Sequence, residues 1–216
     1  MATGATRATP RLRAELTPWS GDIEDEADIS DAVIVGDLSA RDVSAVDWTG
    51  CRFEGVGLVG AHLHLSRLVD CVLSACDLSG LVFEEGSCTR VEFRDCRLSG
   101  IEAAGGRFRD VAFLDCRLDD ANFRMARFER GEFDGCSLVD ADFSSAVLPG
   151  SRFAGCDLAG ARLSKSTLAG SRFERTGMER ITGADALRGI TIGSEQVLPV
   201  ALALFAELSV DIDDGP

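Results

Sequence analysis

The chain lacks several things that would classify it quickly. It has no tyrosine, only three Met and two Trp, and no apolar run long enough to cross a membrane as a helix. Its first residues, MATGATRATPRLRAELTPW, contain bases but no apolar core of the kind a secretory signal needs. The expectation is a cytoplasmic protein without membrane attachment, whose eight Cys are thiols. Basic residues are short of acids by fourteen, which argues against direct nucleic-acid binding, because phosphates require a cationic surface. No phosphate-binding glycine loop, nucleophile elbow or HExxH motif is present. The sequence therefore predicts no enzyme activity and no cofactor.

What the chain does contain is periodic. CDLSG (76–80), CRLSG (96–100), CRLDD (116–120), CSLVD (136–140) and CDLAG (156–160) recur at intervals of twenty. Within them runs a shorter period. All thirty positions reached by steps of five from Val33 to Met178 are apolar, and twenty-four are Leu or Phe. Two residues before each stands a residue that is usually Cys, Ala or Ser, and the other three are mostly Asp, Arg, Glu, Ser or Gly. Helices repeat near 3.6 and strands near 2.0, so neither explains a period of five. A coil in which each unit supplies one side and one corner does. Gly is frequent at the fifth place, as corners with unusual backbone angles favour.

Units such as ANFRM (121–125), ADFSS (141–145) and ARLSK (161–165) resemble the pentapeptide repeat family, whose consensus is approximately A-(D/N)-(L/F)-x-x. The resemblance covers about two-thirds of the chain. It implies an all-β solenoid, a right-handed quadrilateral β-helix with four units per turn and about seven to eight coils. Residues twenty apart should then stack in columns about 4.8 Å apart. The expected core is a Phe column (Phe93, Phe113, Phe133, Phe153, Phe173), a Leu column (Leu78, Leu98, Leu118, Leu138, Leu158) and a Cys column (Cys76, Cys96, Cys116, Cys136, Cys156). The cysteines read as compact apolar fillers, because a straight ladder offers neither disulfide geometry nor a tetrahedral metal site. His62 and His64 flank the inward Leu63 and face outward as a solvated pair, with no third ligand for a metal.

The pattern divides the chain into an acidic lead-in or cap (1–31), the solenoid (32–182) and a C-terminal module (183–216). DIEDEADISD (22–31) carries six acids and no base, a composition compatible with disorder. SEQVLPVALALFAEL (194–208) reads as a helix with Ser194 as N-cap, kinked or divided at Pro199, and SVDI (209–212) as a short strand. From Val197 onward the helix is apolar almost all round, so it should be buried on more than one side. Either it is a monomeric cap, or Val197, Leu198, Leu202, Leu204, Phe205 and Leu208 form a homodimer interface. The apolar excess favours the dimer.

Several members of the pentapeptide repeat family mimic duplex DNA and bind type II topoisomerases. A rod without projecting loops and with a helical tail is similar to that type, and the resemblance implies DNA gyrase or a related enzyme as partner. The charge distribution fits in part. The lead-in carries −4, the solenoid −5 and the tail −5. The face centred on the Leu column sums to −4 and includes Asp77, Asp119, Asp120, Asp140 and Asp157, the candidate partner-binding residues. The face around Phe108 and Phe128 sums to +2. The alternative is a scaffolding rod that binds an unrelated protein through its tails or through exposed apolar residues such as Leu65 and Leu114.

Overall fold

The computed structural model describes residues 6–19 and 21–210. Parallel strands, most of three residues, wind into a right-handed quadrilateral β-helix of about eight coils. Registers are offset by twenty: Leu73 pairs with Phe93, Phe93 with Phe113 and Phe133 with Phe153. From Leu38 to Met178 every fifth residue is buried, and the Phe, Leu and Cys columns all lie in the interior. Consecutive Phe rings stack nearly parallel, with centroids 4.7–5.0 Å apart along Phe93, Phe113, Phe133, Phe153 and Phe173. Their spacing is the strand spacing, so a repeat in sequence becomes continuous aromatic contact.

The corners explain the fifth position. Every fifth residue from Ala40 to Arg180 has positive φ, between 49° and 79°. Glycine adopts this region without a Cβ penalty and occupies eleven of those corners, Gly50 to Gly170 among them. Asp, which tolerates it better than most residues, stands at six more. The Cys column is polar in one respect: from Cys96 to Cys156 each thiol points at a carbonyl of the previous coil, as Cys116 Sγ donates to Phe93 O (3.4 Å) and Cys136 Sγ to Phe113 O (3.3 Å). Thr176 Oγ1 makes the equivalent contact with Phe153 O. All eight cysteines are free and buried.

The single register fails at its first member. Ala32 and Ile34 point inward and Val33 outward, because Ile34, not Val33, pairs with Phe53. The first coil is one residue short: Ile29 faces Trp48 at an offset of nineteen, and Gly36 (φ 101°) absorbs the shift. The acidic stretch is ordered where it is described. Asp28–Ser30 and Ala32–Ile34 are strands of the sheet, and Ile23, Ile29 and Ile34 fill the end of the core. Thr17–Trp19 pairs outside Ala32–Ile34, with Trp19 edge-on to Trp48. Pro18 removes a donor from this terminal strand, which blunts it against further pairing.

Among the described residues, 7–16 make no backbone–backbone hydrogen bond. They form an extended strap that runs outside the coils, across several strands rather than along one. At the other end, Thr191–Ile192 pairs with Arg172–Phe173, and helix α1 (Val197–Glu207) packs on the short turn Ala184–Leu187. Pro199 neither kinks nor divides α1, because it stands in the first turn, where its missing N–H has no helical partner to lose. Ser194 is not a side-chain cap. It opens a short 3₁₀ turn preceded by Gly193, whose N–H donates to Gln196 Oε1 (2.5 Å). Ser209 and Val210 close the helix instead of starting a strand, Val210 N donating to Phe205 O; residues 211–212 lie outside the described residues.

One flaw interrupts the core. Cys88 and Ala103 stand where their columns otherwise carry large residues, and a cavity of about 30 Å³ lies beside Cys88, lined by Leu63, Leu68, Phe83, Phe108 and Phe123. Cys88→Val adds about one methyl group and should stabilise the fold by about 0.7 kcal/mol, at ~24 cal/mol per Å³ of cavity removed. A rise in the urea midpoint at constant slope is the expected result; a fall would mean that the void has no room for the methyl.

Candidate partner-binding surfaces

The acidic candidates share one face of the square but not one cluster. Asp120, Asp140 and Asp157 are exposed, while Asp77 and Asp119 are half-buried. Asp120 and Asp140 occupy the same corner in consecutive coils, both with positive φ, and the Asp140 carboxylate leans over Gly160 of the next coil. Asp119, next to Asp120 in sequence, accepts from Ser137 Oγ and from Val139 N beside Asp140. Those three form a local acidic patch. Asp77 and Asp157 lie at separate levels. Asp77 faces Arg97 across the next coil at 3.9 Å, and Asp119 faces Arg117 at 3.8 Å. Both arginines are largely exposed and both contacts are long, so each pair contributes little and leaves its carboxylate accessible.

Other faces use charge differently. Arg152 reaches Glu132, Asp134 and Glu174, bridging three coils, and Asp142 sits between Arg124 and Arg162. Burial would raise the pKa of Asp142, but bonds from Ser144 and Arg162 hold it below the ordinary value. These ladders knit the coils together and project little unpaired charge. His62 and His64 are both exposed on one strand, and the described residues contain no group of three potential metal ligands.

At the C-terminal end, α1 buries only Val200 and Ala203 against the solenoid. Val197, Leu198, Leu202, Leu204, Phe205 and Leu208 are exposed, Leu198 by 68% and Leu208 by 71%. Between α1 and the last coil is an open groove of about 720 Å³, floored by Ile181 and Thr182 and walled by Leu198, Leu202 and Ala206. Elsewhere Leu65 is exposed at a corner, whereas Leu114 is only half-exposed because it lies in the long strand Arg107–Leu114, so it is not the apolar outcrop expected. No described helix is long and apolar enough to cross a membrane.

The strap marks a surface that the repeat pattern conceals. Along one corner, positions twenty apart read Asp70, Arg90, Asp110, Arg130. Arg90 grips Asp70 through two nitrogens, both at 2.6 Å, and Arg130 grips Asp110 through two, at 2.5 and 2.9 Å. Each of these carboxylates also accepts a strap amide: Arg11 N donates to Asp70 and Ala8 N to Asp110, both at 3.0 Å. On the adjoining wall the Arg7 guanidinium spans Glu92 (2.8 Å) and Glu132 (3.2 Å). Ala112, between them in the ladder, is wholly buried although its position points outward. The signal available in sequence was the alternation of Asp and Arg at one corner and the single Ala between two Glu.

Burial would raise Asp70 and Glu92, but Arg90 with Arg11, and Arg94 with Arg7, overcome it and hold both below their ordinary values. Arg130 does the same for Asp110 despite its burial. A depressed folded-state pKa gives stability that is complete above the unfolded value and disappears as pH falls through the folded one. Amide protection at Ala8 and Arg11, corrected for intrinsic exchange, should therefore hold at pH 5 and be lost below 3.8, the ordinary Asp value. Loss between pH 6 and pH 5 would show that these carboxylates do not hold the strap.

Family comparisons agree with the coil geometry. The profile described as pentapeptide repeat region matches residues 46–123, and that described as pentapeptide repeats matches residues 136–175. Together they span more than half of the 216 residues. Among solved structures, a trypsin-treated form of QnrB1, a plasmid-mediated fluoroquinolone resistance protein, is 19% identical, with 88% of this chain and 99% of that chain covered and a TM-score of 0.41. Full-length QnrB1 is 22% identical over 83% and 90%, with a TM-score of 0.40. HetL, involved in heterocyst differentiation regulation in the cyanobacterium Nostoc sp., is 17% identical over 79% and 91%, with a TM-score of 0.31. No curated protein matches the chain.

Proposed function

The chain belongs to the pentapeptide repeat family, and on that footing we propose that it is a non-catalytic cytoplasmic binding protein whose acidic face occupies the DNA-binding groove of a type II topoisomerase such as DNA gyrase. The observation that supports this reading is the patch of Asp119, Asp120 and Asp140. Its carboxylates are held on a rigid β-ladder, Asp119 by Ser137 and Val139, and their charge is only weakly countered by Arg117. A protein groove built for duplex phosphates presents cations in rows, and a rigid row of carboxylates presents the complementary charge with no ordering cost. Such a ligand protects the enzyme from a drug or toxin by competing with DNA.

The test is a gyrase supercoiling titration at two salt concentrations, with and without fluoroquinolone. Inhibition that weakens at high salt, and is lost in the Asp119→Lys, Asp120→Lys, Asp140→Lys triple variant, is the expected result. Indifference to the triple reversal would favour a scaffolding rod that binds another protein through Leu65 or the tails.

The same reading includes a homodimer through α1. Leu198, Leu202, Phe205 and Leu208 leave more apolar surface in water than a terminal cap requires. Two copies of α1 meeting along this surface would form an isologous interface and a rod of twice the length. Sedimentation should show dimers at micromolar concentration and monomers for Leu198→Asp with Leu202→Asp. Wild-type monomers at that concentration would count against it.

A further inference from the structure

The strap has the geometry of a bound peptide. Three residues of extended chain advance about 10 Å, and two coils advance about 9.6 Å. Ala8 and Arg11, three apart, therefore meet Asp110 and Asp70, two coils apart, in matching register. The same spacing separates Glu92 from Glu132, which the Arg7 side chain bridges through Nη2 and Nε over Ala112. A larger residue at 112 would fill the slot that the guanidinium occupies.

The recognition elements are few and general. Two are backbone amides, available from any non-proline residue. The third is the half-buried Arg7 guanidinium, whose planar fork holds two carboxylates in a fixed geometry where an ammonium is a rotating point charge, and the exposed Arg13 adds an ion pair to Asp31 at 3.0 Å. Thr6, Thr9 and Arg11 expose their side chains, so those positions are not read. The strap is also detachable. Among the described residues no sheet hydrogen bond breaks when 7–16 leave, and the acceptors stay paired, Asp70 with Arg90, Asp110 with Arg130 and Glu92 with Arg94. The wall is preformed whether covered or not.

We propose that this wall is a binding site for an extended, arginine-bearing segment of another protein, and that the chain's own N-terminus occupies it in cis until such a segment displaces it. The partner segment carries an arginine followed by free amides one and four residues later. Proline is accepted at the third place, where the strap has Pro10. The site lies on a different face from the acidic patch, so it stands or falls independently of topoisomerase binding.

A fluorescent peptide with the sequence of residues 6–16 is the probe, titrated against the full-length protein by anisotropy. Arg7→Ala in the protein weakens the cis occupant and leaves the wall intact, and should tighten peptide binding at least tenfold. Adding Ala112→Leu or Glu132→Gln to that variant should reverse the gain, and so should peptides with Arg7→Lys or an N-methyl group on Ala8. Ala112→Leu blocks the slot sterically, whereas Glu132→Gln removes one charge at a half-buried site without changing its shape, so the two check each other against folding defects. Equal binding by wild type and Arg7→Ala would overturn the proposal, as would a gain that survives both wall substitutions.

Discussion

The left-handed corner at every fifth residue is the constraint from which the rest follows. Four such corners close the chain into a square, which puts the next unit directly above its counterpart and lets parallel backbone bonds form on all sides. An L-residue in that region costs about 1 kcal/mol or more, and the chain accepts this at eighteen non-glycine corners. What offsets it is the inward pair in each unit. The large residue stacks on its equivalents above and below, and the small one leaves room for the turn; at places such as Cys116, Ser171 and Thr176 it also donates to a carbonyl of the previous coil.

The same lattice governs the surface. Side chains twenty apart are forced to be neighbours, so the outer charge pattern is a vertical sequence at each position. Where signs alternate, as in Asp70, Arg90, Asp110 and Arg130, the column neutralises itself and binds two backbone amides. Where Asp follows Asp, as at 120 and 140, charge accumulates at an exposed corner. A neutral, peptide-binding corner and an acidic patch are thus two readings of one geometry, differing only in which residues are placed in register.

The two ends solve the problem of an open stack in opposite ways. The first coil slips by one residue at Gly36 and closes with three isoleucines, Trp19 and a proline-bearing strand. The last coil is covered by α1 through Val200 and Ala203, leaving the outer side of that helix apolar and wet. The rod is finished at its N-terminus and unfinished at its C-terminus.

Most of the fold was legible because a five-residue period admits few conformations, and stacking at twenty then follows from closure of the square. The inward columns, the glycines at the corners and the burial of the cysteines were all local consequences of that period. Val33 was misplaced because one deleted residue before Leu38 preserves the apolar run while turning its faces. Leu114 was misjudged because three strands, including its own, extend through the corners at 70, 90 and 110. Pro199 was read by residue type rather than by its place in the first turn. The strap was invisible for a deeper reason. Arg7 meets Glu92 and Glu132 across 85 and 125 residues of sequence, and no period links a non-repeating terminus to the wall it covers. The sequence determined the coil, since each unit needs only its neighbours; the tertiary structure alone decided which outward charges are covered, because that depends on where a free end of the chain comes to rest.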